Sequence, residues 1–226
     1  MIESIAFVPD GNRRYAAKTG IDYWDAYRQG FDKAEQVLDW CYDAGIKEVT
    51  LWGASTENVR NRPEDEMKIL LGLYRQYLIK LLNSPKLHKR QINVQFVGKG
   101  EFLRRPELAD VISKIKAATV TYDAHRFNVA LAYGGREELV SAFKKYASEN
   151  DVHDLDEAKL GRYMYVTKEP QLIVRTSGVK RLSGYLLWQS AYSELYFTDK
   201  LWPEFSYDDF QDALNYYDTA KRNFGH

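Results

Sequence analysis

Short β-rich runs alternate with longer segments of helical periodicity along the chain, and this alternation restricts the possible folds more than any other feature. Strands are predicted at 4–8, 48–53, 92–97, 127–132 and 171–174, with a weaker candidate at 195–197. Helices are predicted at about 23–43, 63–83, 106–122, 135–148 and 207–222. Strands separated by helix-length segments favour a parallel sheet with crossover helices. We therefore predict a single α/β domain over residues 1–226, with a mostly parallel central sheet of about six strands flanked by helices.

Glycine-, hydroxyl- and arginine-rich segments follow the first five predicted strands. In chain order they are PDGNRR, ASTENVRNRP, GKG, YGGR and RTSGVKR. Loops are polar in any protein, so one such segment carries little information. All five would lie at the carboxyl edge of a parallel sheet, however, and open α/β sheets bind ligands along that edge. We therefore predict one positively charged rim, formed by Arg13, Arg14, Arg60, Arg62, Arg136, Arg175, Lys180 and Arg181.

An acid, Asp10, comes shortly before an adjacent pair of arginines, Arg13 and Arg14, after the first strand. Guanidinium groups bind oxyanions that accept two hydrogen bonds at once. A single carboxylate beside phosphate groups is a common way to hold Mg²⁺. The segment therefore indicates a phosphate site with bound magnesium.

Net charge and cysteine content exclude several other kinds of protein. The 32 basic and 32 acidic residues leave a formal net charge of zero, so no nucleic-acid partner is expected. The one cysteine, Cys41, excludes an internal disulfide, and the four histidines are too scattered for a zinc site. The first residues lack the pattern of a signal peptide, and no apolar run is long enough to span a bilayer. A cytoplasmic location is expected, with any membrane-derived substrate or product met at the membrane surface.

The segment after the second strand predicts a helix with more apolar surface than one buried stripe needs. Pro63 suits the first helical position, and Glu64, Asp65 and Glu66 suit the first turn. Apolar residues then recur at helical spacing, namely Met67, Leu70, Leu71, Tyr74, Tyr77, Leu78, Leu81 and Leu82, with Ile69, Leu73 and Ile79 in addition. This helix is either buried in the core or, in part, the wall of an apolar cavity.

Four segments together resemble the cis-prenyltransferase family, the undecaprenyl and dehydrodolichyl diphosphate synthases. They are DGNRRYA, STEN with the following RP, YGGR, and RTSG continuing through LLWQSAYSELYFTD to LWPEF. The likeness runs from about Ile5 to Gly225. It implies a homologous fold with a deep hydrophobic tunnel, for which Trp52 and Phe127 are candidate wall or floor residues. The implied reaction condenses isopentenyl diphosphate onto an allylic diphosphate with a new Z double bond, giving a Z-polyprenyl diphosphate, the precursor of a glycosyl carrier lipid.

The resemblance also implies roles for individual residues. Asp10 would be the essential acid and would hold Mg²⁺ against the allylic diphosphate. Glu194 would be a second metal contact or, alternatively, a buried hydrogen-bonded carboxylate. Asn58 would be the other catalytic residue, with a positioning role, because an amide is a poor base. The remaining residues implied in substrate binding are Gly11, Asn12, Arg13, Arg14, Tyr15, Tyr23, Tyr27, Ser55, Thr56, Glu57, Arg62, Arg175, Arg181, Leu182 and Ser183.

These binding residues divide between two diphosphates. Positions 11–14 match the family's site for the allylic diphosphate, and Arg175, Arg181 and Ser183 match its site for isopentenyl diphosphate. Because Asp10 would then stand in an anion site, its removal is expected to relieve repulsion and to leave the fold intact.

The sequence departs from the family at positions that bear on substrate preference. The family's tryptophan in the first motif is Tyr15 here, and an arginine and a histidine that usually help bind the first diphosphate fall at Tyr23 and Tyr27. STENVRNRP has one residue more than usual before its arginine, so the functional arginine is taken to be Arg62 rather than Arg60. Fewer fixed cations near the allylic diphosphate leave the preferred primer open.

The tail, KRNFGH, bears on assembly. In many homodimeric members an Arg-x-Gly motif reaches across the dimer to a diphosphate site. Aligning Phe224 and Gly225 with that motif puts Asn223 at the arginine position, with Arg222 one residue early. The chain is therefore either a homodimer or the catalytic subunit of a heteromer whose homologous partner supplies the arginine. A non-catalytic prenyl-lipid-binding homologue is the remaining alternative, and the intact aspartate motif argues against it.

Overall fold

Six strands form one central sheet in the computed structural model, which describes residues 2–220. They are β1 (Ser4–Val8), β2 (Glu48–Trp52), β3 (Ile92–Val97), β4 (His125–Ala130), β5 (Leu172–Arg175) and β6 (Glu194–Phe197). Their order across the sheet is β3-β4-β2-β1-β5-β6, and each pairing within this part of the chain is parallel. The predicted α/β fold with a six-stranded parallel sheet is therefore confirmed, although β4 begins at His125 instead of residue 127.

Helices connect these strands, and several begin within a few residues of a strand end. Within residues 2–220 they are α1 (Asn12–Thr19), α2 (Tyr23–Asp43), α3 (Thr56–Asn61), α4 (Glu64–Leu82), α5 (Pro85–Lys89), α6 (Gly100–Leu103), α7 (Pro106–Thr119), α8 (Gly135–Glu149), α9 (Glu157–Gly161) and α10 (Tyr207–Thr219), with short 3-10 turns at Val152–Asp154 and Trp202–Glu204. The segments predicted as loops after β1 and β2 thus contain α1 and α3. These two helices are short and polar, so they lack the apolar periodicity by which the longer helices were predicted.

Side chains of the strands alternate between two apolar cores, one on each face of the sheet. Ile5 and Phe7 of β1 belong to the larger core, which α2, α4, α7 and α10 complete. Ala6 and Val8 belong to the smaller core on the other face, together with Tyr185. This is the pattern of a parallel sheet covered on both faces.

Helices α2 and α4 pack against each other over the larger core. Phe31 of α2 stacks on Tyr77 of α4 with ring centroids 4.8 Å apart, and it meets Tyr74 edge to face at 5.0 Å. Among the described residues, no helix combines the length and the hydropathy that crossing a membrane would require.

Candidate active site

A cavity of about 720 Å³ lies between the sheet and helices α2 and α4. Polar residues that follow the carboxyl ends of β1, β2 and β5 line one part of it. The rest of its wall is mostly apolar and comprises Phe31, Ala34, Leu38, Leu51, Trp52, Leu70, Tyr74, Tyr77, Leu78, Leu81, Phe127 and Val129. The apolar surface of α4 therefore serves both predicted purposes, because Leu73 is buried in the core and Leu70 lines the cavity.

The charged rim is smaller than predicted. Of the eight cations expected there, Arg13, Arg14, Arg62 and Arg175 line the cavity, whereas Arg60, Arg136, Lys180 and Arg181 do not. The GKG segment follows the edge strand β3, far across the sheet from β5. The YGGR segment packs against Thr56 at the start of α3 and does not line the cavity. A Cβ on its Gly134 would be 3.0 Å from Thr56 Oγ1.

The N-terminus of α1 faces the polar part of the cavity. Gly11 has φ 115°, and a Cβ there would lie 3.0 Å from Leu201 Cδ2, so a larger residue would be both strained and crowded. No side chain caps this helix. Its first backbone N–H groups, and the positive end of its dipole, are therefore available to an anion.

Asp10 forms an ion-pair cluster with two arginines, which we call the Asp10 cluster (Asp10, Arg14 and Arg175). Arg175 Nη2 donates to Asp10 Oδ2 at 2.8 Å, and Arg14 Nη2 donates to Oδ1 at 3.3 Å. The Asp10 side chain is 33% exposed, and that of Arg175 is 6% exposed. Partial burial would raise the pKa of Asp10, but the hydrogen bond and charge of Arg175, with the charge of Arg14, hold it below its usual value.

The expectation that Asp10 is repelled in the free protein is therefore wrong. Its nearest charged neighbours are cations, so removing its carboxylate would leave the buried Arg175 guanidinium without its partner charge.

The Asp10 cluster is fixed by the sheet. Val8 and Arg175 are paired neighbours in β1 and β5, so Asp10 follows directly where the two strand ends meet. The chain connections of an open sheet diverge at this point, and ligands commonly bind there. Arg14 also donates to the Ser177 carbonyl at 2.9 Å, which ties α1 to the end of β5.

The three residues matched to isopentenyl diphosphate form one hydrogen-bonded group. Arg175 Nη1 donates to Ser183 Oγ at 2.8 Å and to the Arg181 carbonyl, and Arg181 Nε donates to Ser183 Oγ at 3.1 Å. Ser183 has φ 53°, a strained value for a residue with a side chain. Leu182 packs against the smaller core, so it supports this group and does not line the cavity.

A second acid with two arginines lies across the cavity mouth, and sequence reasoning missed it. We call it the Glu66 cluster (Glu66, Arg13, Arg62 and Tyr27). The Tyr27 hydroxyl donates to Glu66 Oε1, Arg62 Nε lies 3.5 Å from Oε1, and Arg13 Nε lies 3.8 Å from Oε2. The Glu66 side chain is only 3% exposed.

Glu66 was predicted only as an acid in the first turn of a helix. Two features of the sequence could have indicated more. It stands four residues after Arg62, and four before Leu70, so it lies on the buried face of α4.

Tyr23 and Tyr27, which stand where the family has an arginine and a histidine, each form a cation–π contact with an arginine. The Arg13 guanidinium lies 5.7 Å from the Tyr23 ring centre, and the Arg62 guanidinium lies 5.5 Å from that of Tyr27. The two tyrosines therefore support predicted binding arginines and bring no cation of their own. Arg62, and not Arg60, lines the cavity.

Asn58 and Ser55 cap helix α3 by reciprocal hydrogen bonds. Asn58 Oδ1 accepts the Ser55 N–H at 3.2 Å, and Ser55 Oγ accepts the Asn58 N–H at 3.0 Å. The cap fixes the Asn58 amide at the cavity, with its Nδ2 donors left for a ligand. Glu57 also lines the cavity, but Thr56 does not. Tyr15 lies outside it as well, with its hydroxyl donating to Gln29.

Glu194 is not brought to the same place. It begins β6 and pairs in register with Leu172, three residues before the level of Arg175. At the rise of a β-strand this puts it about 10 Å from the carboxyl edge of the sheet. Within one chain, this register keeps Glu194 away from Asp10, so the structure does not bring it to the predicted metal site. In the described part of the chain, no three His, Cys, Asp or Glu residues are grouped as metal ligands.

Comparison with known proteins gives consistent matches over nearly the whole chain. Residues 8–225 match the family model described as "Putative undecaprenyl diphosphate synthase". The tritrans,polycis-undecaprenyl-diphosphate synthase (geranylgeranyl-diphosphate specific) of Methanopyrus kandleri is 41% identical over 230 residues, which covers 99% of this chain and 84% of that relative. The isoprenyl transferase of Thermus thermophilus is 38% identical over 236 residues, covering 100% and 89%.

A solved structure is also similar to this chain. Lavandulyl diphosphate synthase from Lavandula x intermedia, in complex with dimethylallyl diphosphate, has a TM-score of 0.91 and 31% identity. The match covers 100% of this chain and 98% of that one. Both ion-pair clusters lie within the matched residues.

Proposed function

The chain belongs to the undecaprenyl diphosphate synthase family and is a cis-prenyltransferase, and from this premise we propose how its two ion-pair clusters divide the substrates. The observation that carries the proposal is the cavity itself. Its mouth holds two groups of arginines and a helix N-terminus, and its wall beyond them is apolar. The arginines and the helix N-terminus suit two diphosphates, and the apolar wall suits one isoprenoid chain.

The allylic diphosphate is proposed to bind at the N-terminus of α1, between Arg14 of the Asp10 cluster and the two arginines of the Glu66 cluster. The backbone amides at positions 11–14 would donate to it and stabilise charge as the carbon–oxygen bond breaks. Its hydrocarbon chain would extend along the apolar wall. Relatives named as specific for geranylgeranyl diphosphate make that diphosphate the first candidate primer. The finished polyprenyl diphosphate would be released to a membrane surface.

Isopentenyl diphosphate is proposed to bind at Arg175, Arg181 and Ser183. Its double bond would attack the allylic carbon, forming a carbon–carbon bond while diphosphate leaves. The proton lost from the isopentenyl unit would go to the released diphosphate or to water. Asn58 would orient the reacting ends through its Nδ2 donors.

Magnesium is proposed as the cofactor, held by Asp10 and by substrate oxygens. A single carboxylate at the cavity mouth, with diphosphates beside it, is the kind of donor set that Mg²⁺ uses. The ion would neutralise negative charge on the leaving diphosphate. The Asp10 carboxylate is a third exposed, so a ligand can reach it. Arg14 and Arg175 hold the same oxygens in the free protein and would have to release them.

Assembly as a homodimer or with a homologous subunit is also proposed. The residues that bear on this choice, from Arg222 to Gly225, lie outside the described residues. Asparagine at position 223 brings no charge to a diphosphate, which favours a catalytic subunit activated by a partner. Comparing the purified protein with Asn223→Arg tests this choice. Full long-chain synthesis by the unmodified protein, with no gain from the arginine, would refute the heteromer.

The function is tested by mixing the purified protein with labelled isopentenyl diphosphate, Mg²⁺ and one allylic diphosphate at a time. We expect incorporation that depends on Mg²⁺, is fastest with geranylgeranyl diphosphate, and gives products with new Z double bonds. A protein that binds these diphosphates but incorporates no label, even with a homologous partner present, would be a non-catalytic prenyl-lipid-binding homologue instead.

A further inference from the structure

Glu66 does not itself line the cavity, yet it is paired with two arginines that do. We propose that Glu66 is a positioning residue that holds Arg13 and Arg62 as a fixed pair for the diphosphate of the allylic substrate. This inference rests on the proposed function, since it deepens the role of the same site.

The geometry leaves the arginines able to bind an anion while they are held. The closest approach of each to Glu66 is through Nε, at 3.8 Å for Arg13 and 3.5 Å for Arg62. Both residues line the cavity. The Nε side of each guanidinium therefore faces the carboxylate, and the terminal nitrogens are the groups left to donate to a ligand.

A tyrosine ring also packs against each of the two guanidiniums. Each lies over a tyrosine ring, Tyr23 for Arg13 and Tyr27 for Arg62, and the two rings are 6.3 Å apart. An arginine side chain that is 55% exposed, as Arg13 is, would otherwise sample many rotamers and lose that freedom on binding. A buried anchor removes part of this cost in advance, which is how preorganisation strengthens binding.

Folding alone does not account for a carboxylate at this position. Glu66 is buried, and its Oε2 has no hydrogen-bond partner among the described residues. Burying a carboxylate oxygen without a hydrogen bond costs stability, and the ion pair of Oε2 with Arg13 Nε at 3.8 Å offsets part of this cost. A negative charge beside a diphosphate also weakens the net attraction. Glu66 therefore helps binding only if it acts through the geometry of the two arginines.

The direction in which diphosphate affinity changes distinguishes a role in charge from a role in positioning. Glu66→Gln removes a negative charge from the site and keeps the size of the side chain. If charge alone mattered, the variant would bind diphosphate more tightly. If Glu66 positions Arg13 and Arg62, binding becomes weaker, and loss of one oriented charge-assisted contact corresponds to a rise in Kd of roughly tenfold or more.

Binding is measured by calorimetry with geranylgeranyl diphosphate alone, so that no turnover occurs, and separately with isopentenyl diphosphate. We expect the Kd for geranylgeranyl diphosphate to rise in Glu66→Gln and that for isopentenyl diphosphate to stay within about twofold. The matched control is Glu48→Gln, which changes another buried carboxylate, hydrogen-bonded to Asn128 at the amino end of β2. It should leave both constants unchanged.

A second variant keeps the proposal testable if Glu66→Gln does not fold. Tyr27→Phe keeps the ring under Arg62 and removes only the hydroxyl that donates to Glu66. It should weaken geranylgeranyl diphosphate binding by a smaller factor, about twofold to fivefold. Equal or tighter binding by either folded variant would overturn the role of Glu66.

Inorganic diphosphate serves as an additional probe, because it occupies the mouth without needing the correct hydrocarbon chain. An unmodified protein that incorporates no label with any allylic primer, alone or with a homologous partner, would defeat the proposed function. The effect of Glu66→Gln on inorganic diphosphate binding would still decide whether Glu66 positions the arginines.

Discussion

The two ion-pair clusters at the cavity mouth have the same composition in charge but differ in burial. Each has one carboxylate and two guanidiniums. Asp10 lies where two strands end and is 33% exposed, whereas Glu66 lies between helices and is 3% exposed. Water or a ligand can replace the arginine partners of Asp10. It cannot replace those of Glu66, because that carboxylate is buried. One carboxylate with two guanidiniums can therefore form a site that exchanges its partners when it is exposed, and a fixed support when it is buried.

The difference follows from the elements that build each cluster. Asp10 comes from a short turn between β1 and α1, where backbone and side chain are open on one side. Glu66 lies on the inner face of α4, with Leu70 one turn further on. A turn at a sheet edge leaves room for a metal ion and a substrate, and the inner face of a packed helix does not.

The largest expected effect comes from removing the exchangeable carboxylate. Asp10→Ala should lower the rate of condensation by about a thousandfold or more, because charge stabilisation at a leaving group is commonly worth several kcal/mol. The measurement is kcat at saturating Mg²⁺ with both substrates. Asp110→Ala, which removes an exposed acid on α7, is the control and should keep full activity. Retention of a tenth of the activity by Asp10→Ala would break the assignment of Asp10 as the metal ligand.

The same variant should also be less stable. Arg175 would lose its carboxylate partner but keep its hydrogen bonds to Ser183 and to the Arg181 carbonyl. We expect a loss of ~1 to 2 kcal/mol in the free energy of unfolding. A gain in stability would show that the Asp10 carboxylate is destabilising in the free protein and that its ion pairs do not compensate for its burial.

Much of the fold could be predicted from the sequence because its signals are local. The apolar run of β1 and the helical period of α2 each depend on a few neighbouring residues, and the observed bounds Ser4–Val8 and Tyr23–Asp43 agree with the prediction. Short α1 and α3 escaped notice since they have no apolar stripe.

The candidate site could be predicted only where its residues are close in the chain. Asp10, Arg13 and Arg14 stand in one motif, and all three line the cavity. The contact between Arg13 and Glu66 depends on how α1 packs near α4, which no local pattern determines. The position of Glu194 also depends on non-local pairing, because the register of β6 against β5 fixes its height in the sheet.

The next effect distinguishes the buried arginine of the Asp10 cluster from its exposed neighbour. Arg175→Ala should raise the KM for isopentenyl diphosphate by about tenfold to a hundredfold, the value of one charge-assisted contact. It should also lower stability, because Arg175 bonds to Asp10 as well. Arg181→Ala should raise the same KM by less and leave stability nearly unchanged, since Arg181 is exposed.

Steady-state kinetics with each substrate varied in turn, together with thermal unfolding, check this pair of variants. If only the allylic substrate bound more weakly, the two diphosphate sites would have to be exchanged. If both variants had equal effects on stability, the proposed dual role of Arg175 would fail.

The smallest expected effect is the acid sensitivity that the exposed cluster contributes. Partial burial opposes ionisation of Asp10, but Arg175 and Arg14 outweigh it, so the pKa of Asp10 is lower in the folded protein than in the unfolded chain. A carboxyl group with a lowered pKa stabilises the fold above its unfolded pKa of roughly 3.9, and this contribution is lost as pH falls through the folded pKa. Because Asp10 is a third exposed, solvent screening limits the contribution to below about 1 kcal/mol.

Comparing the unmodified protein with Asp10→Asn isolates this contribution from that of the other acids. The difference in unfolding free energy between the two proteins should be largest above the unfolded pKa of roughly 3.9 and should shrink as the pH falls through the lower folded pKa of Asp10. Urea unfolding at several pH values measures it, with Asp110→Asn as the exposed control. A gap between the two proteins that stays constant with pH would mean that Asp10 is held by its neighbours through shape and hydrogen bonding alone. The Asp10 cluster would then be as fixed as the Glu66 cluster, and burial would no longer explain why only one of them can release its arginines to a ligand.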